Sequence, residues 1–279
     1  MNKQKKESTY SLEKLSKLGE LTKKITGPYT KALLIETPNG KYAIHPDDMG
    51  VGGELRSNGC YGQSEIKLIK RLINKKSNVL IVGAHVGTIA IPLSQYSNYV
   101  AAVEANPNTF ELLKINIELN KTNNCEAFNI AASEKFEEIS FLLNTANSGG
   151  SKRKPLIDHY AYRYDCPKEV VILAAPLDKY LNRTDFNVVV MDIEGSEYFA
   201  LKGMGEILSN AKALVIEFMP HHFKNVSNIS IKEFLSVLPF YTSLTIPKLK
   251  KRVNHNEFLD VLEYMYNNNI EEHGIIFEK

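Results

Sequence analysis

The sequence predicts an α/β fold built on a doubly wound, mostly parallel sheet, with a small N-terminal helix and hairpin extension. Three observations predict it. From Gln63 onward, helical and strand patterns alternate. The core strand candidates Asn78–Val82, Tyr99–Val103, Phe186–Met191 and Ala213–Phe218 are almost continuous apolar runs, as strands covered by helices on both faces are. The first of them ends in a glycine-bearing turn, Gly83-Ala84-His85-Val86-Gly87, at the carboxyl edge where open sheets bind ligands.

Composition sets the outer bounds. The chain has 279 residues, 43% apolar and 24% charged, enough for a sizeable core and not a disordered composition. Its net charge of +2, from 34 basic and 32 acidic residues, gives no support to a general nucleic-acid binder, which needs a basic surplus for phosphates. Cys60, Cys125 and Cys166 are far apart and form no C-x-x-C pair, so neither a structural zinc site nor a disulfide scaffold is expected. The first residues, Met-Asn-Lys-Gln-Lys-Lys, lack the apolar stretch of a signal peptide. No apolar run approaches the roughly 18 residues that cross a bilayer. A cytoplasmic location and no membrane span are the expectation.

In chain order, residues 1–10 are expected to be frayed. Leu12, Leu15, Leu18, Leu21 and Ile25 recur every three to four residues, the pattern of an amphipathic helix. Such a helix either serves a partner, including a second copy of the chain, or packs on its own domain; the second is the expectation. Ala32–Glu36 and Lys41–His45 flank Thr37-Pro38-Asn39-Gly40, a hairpin with a strong turn signal. Gly50, Gly52 and Gly53 then break the pattern, placing a boundary between an appendage over residues 1–58 and a main domain over 59–279. In that domain Ser64–Leu72 reads as a helix and Asn78–Val82 as the first strand. Thr88–Gln95 is helical, with Pro92 in its tolerant first turns. Tyr99–Val103 is the second strand. Asn106 and Pro107 supply an N-cap and a first helical residue, followed by Phe110, Leu113 and Ile117 as a buried stripe. Ala127–Ala131 is a third strand, and Phe186–Met191 and Ala213–Phe218 are the next two, with a helix between them ending near Lys202-Gly203. Ile231–Leu238 and Phe258–Tyr266 are helices, and Gly274–Phe277 is a late strand. The segment Asn147–Lys154 reads as a mobile, solvated basic loop over an acceptor, and Tyr160, Tyr162 and Tyr164 alternate along a strand or lid.

Four places carry chemistry. Gly83 lets the backbone turn sharply and Gly87 lets the next helix approach. Glu104 ends the second strand 21 residues after Gly83, the spacing at which a carboxylate accepts hydrogen bonds from both ribose hydroxyls of an adenosine cofactor. The turn lacks the G-x-G-x-x-G pyrophosphate cradle of a dinucleotide site, whereas S-adenosyl-L-methionine has no phosphate to cradle. The third place is Met191-Asp192-Ile193-Glu194-Gly195-Ser196-Glu197, three acids around a glycine just past a buried strand. The fourth is Ile216-Glu217-Phe218-Met219-Pro220-His221-His222, whose adjacent histidines could supply a base.

Together these stretches resemble the FkbM family of methyltransferases over about 160 residues, Tyr61 to Pro220. Val79–Gly87 is similar to that family's first motif and Val103-Glu104-Ala105-Asn106-Pro107 to its ribose-binding motif. Leu177–Leu181, followed by the D-x-E-G-x-E spacing of Asp192–Glu197 and by Leu201-Lys202-Gly203, resembles its most specific stretch. The chain departs from the family at Ile81, where aspartate is usual, at His85, often asparagine, and at Met191, often lysine. The resemblance implies a Rossmann-like methyltransferase sheet with S-adenosyl-L-methionine as cofactor. It puts Glu65 at the cofactor's methionine end. The candidate cofactor set is Glu65, Gly83, Ala84, His85, Gly87, Thr88, Glu104, Ala105, Asn106, Asn129, Ala131 and Asp192.

Methyl transfer is an in-line displacement at a sulfonium carbon, so the protein mainly aligns nucleophile, methyl and sulfur and excludes water. Asp192 is expected near the methyl, with His221 or Glu194 as base or orienting group. Asp192, Glu194, Glu217 and His221 could converge on a metal, but no ligand spacing requires one, and none is expected. The resemblance implies O-methylation of a sugar or secondary-metabolite hydroxyl. The alternatives are N-methylation of a peptide or small-molecule nitrogen, or a degenerate cofactor-binding scaffold without turnover. A nicotinamide-dependent oxidoreductase on the same sheet is the rival enzyme class. Expected partners are a small-molecule, glycan or peptide acceptor, no nucleic acid, and a second copy of the chain through the N-terminal region.

Overall fold

The computed structural model describes residues 3–279, with side chains from residue 12 onward. Its core is an eight-stranded sheet. Five strands are parallel: β3 (Asn78–Val82), β4 (Tyr99–Val103), β5 (Cys125–Phe128), β10 (Val188–Met191) and β11 (Ala213–Phe218). Their order is β5-β4-β3-β10-β11. β3, β10 and β11 are buried at every position, which is why their sequences are unbroken apolar runs. The late strand β14 (Glu272–Glu278) pairs antiparallel with β11. The sheet continues through a hairpin, β12 (Ser243–Ile246) and β13 (Lys251–Asn254), that the apolar pattern does not announce.

Chain order reverses direction across this sheet between β3 and β10. Winding runs outward from β3 to β5, then returns to β10 on the other side of β3. That switch point opens a crevice at the carboxyl ends of the two strands. Val82 and Met191 are register partners there, so Gly83 and Asp192 leave the sheet side by side.

Between β5 and β10 the chain builds a second sheet, in the order β6-β9-β7-β8: β6 (Ala131–Ala132), β7 (Glu137–Leu143), β8 (Lys152–Arg153) and β9 (Lys168–Ala175). The expected third strand over Ala127–Ala131 is therefore two strands. The chain leaves the main sheet after Phe128 and enters the second sheet at Ala131. Ile139, Phe141 and Leu143 point inward with Ala131 and Ala174. Val171 and Leu173 on β9 face outward and are exposed. The segment expected as a mobile basic loop is instead a 3₁₀ turn, Ser148–Gly150, and strand β8. Its basic residues are paired, Lys152 with Glu194, Arg153 with Glu137 and Lys154 with Glu169; Lys152 is buried and Arg153 half-buried, while Lys154 stays exposed to solvent. Tyr160–Tyr162 is a 3₁₀ turn and not a strand.

The helix Pro107–Leu119 starts as its sequence dictates. The Asn106 side chain accepts the N–H groups of Asn108 and Thr109, and proline takes the first turn. Its buried positions are Thr109, Leu112, Leu113 and Asn116, a stripe shifted from the expected one because a second body covers this helix. That body is the hairpin β1 (Leu33–Thr37) and β2 (Gly40–Ile44). Tyr42 and Ile44 cluster with Val51, Leu55, Val86, Ile91 and Leu112. Asn116 accepts the Ala43 N–H (2.6 Å) and donates to the carbonyls of Ala43 (3.1 Å) and Val86 (2.9 Å). The hairpin thus braces the helix that follows the glycine turn.

The helix Lys3–Thr26 meets the rest of the chain through Gly19, where a Cβ would come within 2.6 Å of the Asp47 carbonyl, and through the Lys23–Asp47 ion pair. Of the leucine stripe expected to pack on its own domain, Leu12 and Leu15 are half-buried, whereas Leu18, Leu21 and Ile25 are exposed. The reason is geometric: three-residue steps advance about 300° around a helix, so the stripe winds away from the contact face. Residues 1 and 2 of the expected frayed segment lie outside the described residues. Among the described residues no helix is long and apolar enough to cross a membrane.

Candidate active site

The glycine turn is built by two strands at once. The N–H groups of Gly83 and Ala84 both donate to the Val103 carbonyl at 2.9 Å, folding the chain sharply off β3. Gly83 has φ +89°, and a Cβ there would lie 1.8 Å from the Asp192 carbonyl oxygen. Gly87 has φ +93°, and its missing side chain admits Ile91 and Leu113. Gly83 thus serves the approach to Asp192, and Gly87 the packing of the following helix.

Glu104 closes the turn from the side. One of its oxygens accepts the His85 N–H (2.8 Å) and the other the Asn106 N–H (2.7 Å). Burial pushes its carboxyl up to about 7, against the pull of backbone N–H groups of Asn106, His85 and Ala105. The Asn129 amide donates to the Glu104 carbonyl at 2.8 Å and so supports the strand end behind the carboxylate.

Two cavities meet at this place. The first, about 550 Å³, is lined by Glu104, Ala105, Ala131, Ile139, Phe141 and Ser196, among others. It combines apolar walls suited to an aromatic base with a carboxylate suited to a diol. The second, about 1020 Å³, is lined by Tyr61, Glu65, Ala84, Thr88, Ile89 and His273, among others. Burial pushes the Glu65 carboxyl up to about 7. Gly83, His85, Gly149, Asp192 and Glu194 line both cavities. The groove therefore runs from Glu104 to Glu65 past Asp192. Of the expected cofactor residues, Gly87, Asn106 and Asn129 line neither cavity; they hold the turn, the helix start and the strand end.

His85 ties the groove to the chain's N-terminal third. Ser148 donates its hydroxyl to Asp48 (2.7 Å), so that oxygen accepts from His85 Nε2 (2.7 Å). Burial pushes the His85 imidazole down to about 3 and the Asp48 carboxyl up to about 6. His85 Nδ1 is then a bare acceptor, buried without a hydrogen-bond partner among the described residues.

The acid cluster follows β10. Glu194 and Gly195 both take positive φ, 57° and 100°, folding the chain back before the helix Glu197–Lys202. A Cβ on Gly195 would come within 2.6 Å of Val226, so only glycine fits this return. Glu197 accepts the Ile193 N–H at 3.0 Å and is buried, which raises its carboxyl to about 8. The Asp192 carboxyl is pushed well above the usual range, first by burial and then by the charges of Glu217, Glu194, Glu65 and Glu197. A carboxyl that readily holds a proton next to a cleft can act as a base.

Of the paired histidines, the structure brings His222 into the cluster and His221 out of it. His221 is stacked on Tyr162 and faces Glu271 at 3.4 Å on the surface. His222 is buried, with Nε2 3.3 Å from Glu194 and Nδ1 3.5 Å from Glu217. Burial holds its imidazole well below the usual range. Lys152, read from sequence as a solvated loop residue, is also part of the cluster. It is 5% exposed and donates to Glu194 at 2.8 Å. One signal could have found it: Lys152 and Glu194 are the kind of pair that a burial-matched charge needs, but the sequence separates them by 42 positions.

A family model described as the methyltransferase FkbM domain matches residues 82–275. Among curated proteins nothing matches the chain. Solved structures similar to it include the methyltransferase FkbM from Methylobacillus flagellatus KT, at 16% identity and a TM-score of 0.44, covering 74% of this chain and 44% of that one. TYW2 of M. jannaschii in complex with AdoMet shows 18% identity and a TM-score of 0.41, with 69% and 64% coverage. A TehB-like SAM-dependent methyltransferase from Corynebacterium glutamicum shows 13% identity and a TM-score of 0.46, with 82% and 94% coverage. The chain thus spans less than two thirds of the length of the first two.

Proposed function

The chain belongs to the FkbM family of S-adenosylmethionine-dependent methyltransferases, and on that premise we propose that it transfers the methyl group to a hydroxyl of a sugar or secondary metabolite. The observation that carries the reading is the single groove from Glu104 to Glu65 with Asp192 and Glu194 at its middle. In the first cavity Glu104 would hold the ribose of the adenosine, and Ile139, Phe141 and Ala131 would line its base. Glu65, Ala84 and Thr88 in the second cavity would hold the methionine end. Asp192, which lines both cavities, would then stand beside the sulfonium methyl, orient the acceptor and take its proton. Glu194 orients Asp192's neighbourhood through Lys152, and His222 takes the place that the sequence suggested for His221.

The acceptor class is supported by charge. Lys152 and Arg153 are taken up by Glu194 and Glu137, which leaves Lys154 alone of the basic run exposed, too little positive charge to engage a phosphate backbone. A cytoplasmic location is part of the same reading, in keeping with Cys60, Cys125 and Cys166 as free thiols. So is a homodimer through the N-terminal region, supported by the exposed Leu18, Leu21 and Ile25.

Asp192→Ala tests the assignment. Turnover is expected to fall at least about 10²-fold, the lower range for loss of a proton-transferring group, while S-adenosylmethionine still binds. Unchanged turnover with a detected acceptor would remove Asp192 from the mechanism.

A further inference from the structure

The turn Ser148–Gly150 and its flanks form one wall of the groove. Ser148, Gly149 and Ser151 line the first cavity, and Asn147 and Gly149 the second. This wall is held from two sides. On one side Asp165 accepts the Asn144 amide (2.7 Å) and the N–H groups of Thr145 (2.8 Å) and Ala146 (3.0 Å). On the other stands Asp48–Val51, a segment that the sequence places in an N-terminal appendage. The N–H groups of Met49 (2.8 Å) and Gly50 (3.2 Å) donate to the Ala146 carbonyl, and a Cβ on Gly50 would collide with the Asn147 side chain. Val51 itself lines the second cavity.

Asp48 is fully buried, where a carboxylate is costly unless hydrogen bonds satisfy it. Its bonds have a direction. Oδ1 accepts the Gly50 N–H at 2.9 Å, and Oδ2 accepts the Ser148 hydroxyl at 2.7 Å. The Ser148 oxygen is then left to accept from His85 Nε2, also at 2.7 Å. Asp48 lines neither cavity, yet through one hydroxyl it joins the wall to the glycine turn. We propose that Asp48 is a positioning residue for cofactor binding, which holds Ser148–Gly150 against His85 across the groove, and that residues 48–51 are part of the site. The role rests on the methyltransferase reading of the groove; the hydrogen-bond chain does not.

The direction of the chain can be reversed by one atom. In Asp48→Asn the amide oxygen stays with the Gly50 N–H, which can only donate. The amide NH₂ then faces Ser148, whose hydroxyl must turn toward His85. His85 Nε2 becomes the acceptor, and the imidazole carries its proton on Nδ1 instead.

The test reads His85 in the full chain by ¹⁵N nuclear magnetic resonance, above the pH of about 6 to which burial raises the Asp48 carboxyl. The His85 signals are identified by their loss in His85→Asn. The wild type is expected to carry the proton on Nε2, and Asp48→Asn on Nδ1. Surface plasmon resonance then follows S-adenosylmethionine. Asp48→Ala is expected to release it at least about tenfold faster than the wild type, the least effect of losing a hydrogen bond to a charged group. Calorimetric stoichiometry should stay at one per chain, which a general loss of folded protein would lower. Should Asp48→Ala fail to fold, Ser148→Ala removes the same link from the other end and is expected to show the same fast release. A wild-type proton on Nδ1, or the same tautomer in the wild type and Asp48→Asn, overturns the chain. Wild-type release rates in the folded alanine variants overturn the positioning role while S-adenosylmethionine binding keeps the methyltransferase reading standing. A wild type that binds no S-adenosylmethionine contradicts that reading, and the positioning role falls with it.

Discussion

Gly83 and Asp192 stand at the ends of neighbouring parallel strands, and the absence of one side chain is what lets them meet. With φ +89° and the Asp192 carbonyl 1.8 Å from any added Cβ, Gly83→Ala must displace the end of β10. Such a change is expected to weaken S-adenosylmethionine binding at least about tenfold and to cost about 1–3 kcal/mol of stability, checked by calorimetry and urea unfolding. The glycine and Glu104 were readable from sequence because their chemistry depends on spacing along the chain. The placement of His222 among the acids was not. Adjacent histidines differ by about 100° around a helix, and whether His221 or His222 faces Glu194 depends on how Pro220–His222 leaves β11. Lys152 escaped for a related reason, since a lysine in a basic run looks solvated until its distant carboxylate is known.

The second sheet is the element that turns an open crevice into an enclosed groove. β7 gives Ile139 and Phe141 to one wall, and β8 carries Lys152 to Glu194. Lys152→Met removes the charge that anchors β8 over the acid cluster. A loss of about 1–3 kcal/mol is expected in urea unfolding, with faster proteolysis within residues 144–166 than in the wild type. The main sheet's parallel strands were legible because burial on both faces leaves unbroken apolar runs. β7 and β9 were less so. Glu137–Leu143 does alternate, with Ile139 and Phe141 inward, but β9 carries Val171 and Leu173 on its exposed face, which hides the period of two. The N-terminal helix was legible as a helix, whereas its contact face was not, because a three-residue leucine spacing drifts around the cylinder.

At the scale of the whole molecule, burial of carboxyls around the groove sets how stability depends on pH. Glu65 and Glu104 are pushed up to about 7 and Glu197 to about 8. Each therefore holds a proton in the folded chain that the unfolded chain, with an ordinary carboxylate near about 4.3, has already lost. Folded-state proton uptake means that stability falls as pH rises through these values. His85 and His222 act oppositely, but only as pH drops through about 6.5, where the unfolded imidazoles become charged. Between pH 7 and pH 8.5 the acids therefore act almost alone. The melting temperature of the ligand-free protein is expected to be lower at pH 8.5 than at pH 7; circular dichroism melts that are flat or rise over this range would contradict the burial of these groups. In the proposed arrangement the cofactor would bring its ammonium toward Glu65 and its sulfonium beside Asp192, which makes ligand binding the most direct test of the whole arrangement. The decisive measurement is calorimetric titration of the chain with S-adenosylmethionine, S-adenosylhomocysteine and NAD. The groove predicts that the first two bind one per chain and that NAD, whose pyrophosphate finds no glycine cradle at Gly83–Gly87, does not. Binding of NAD alone would contradict the account.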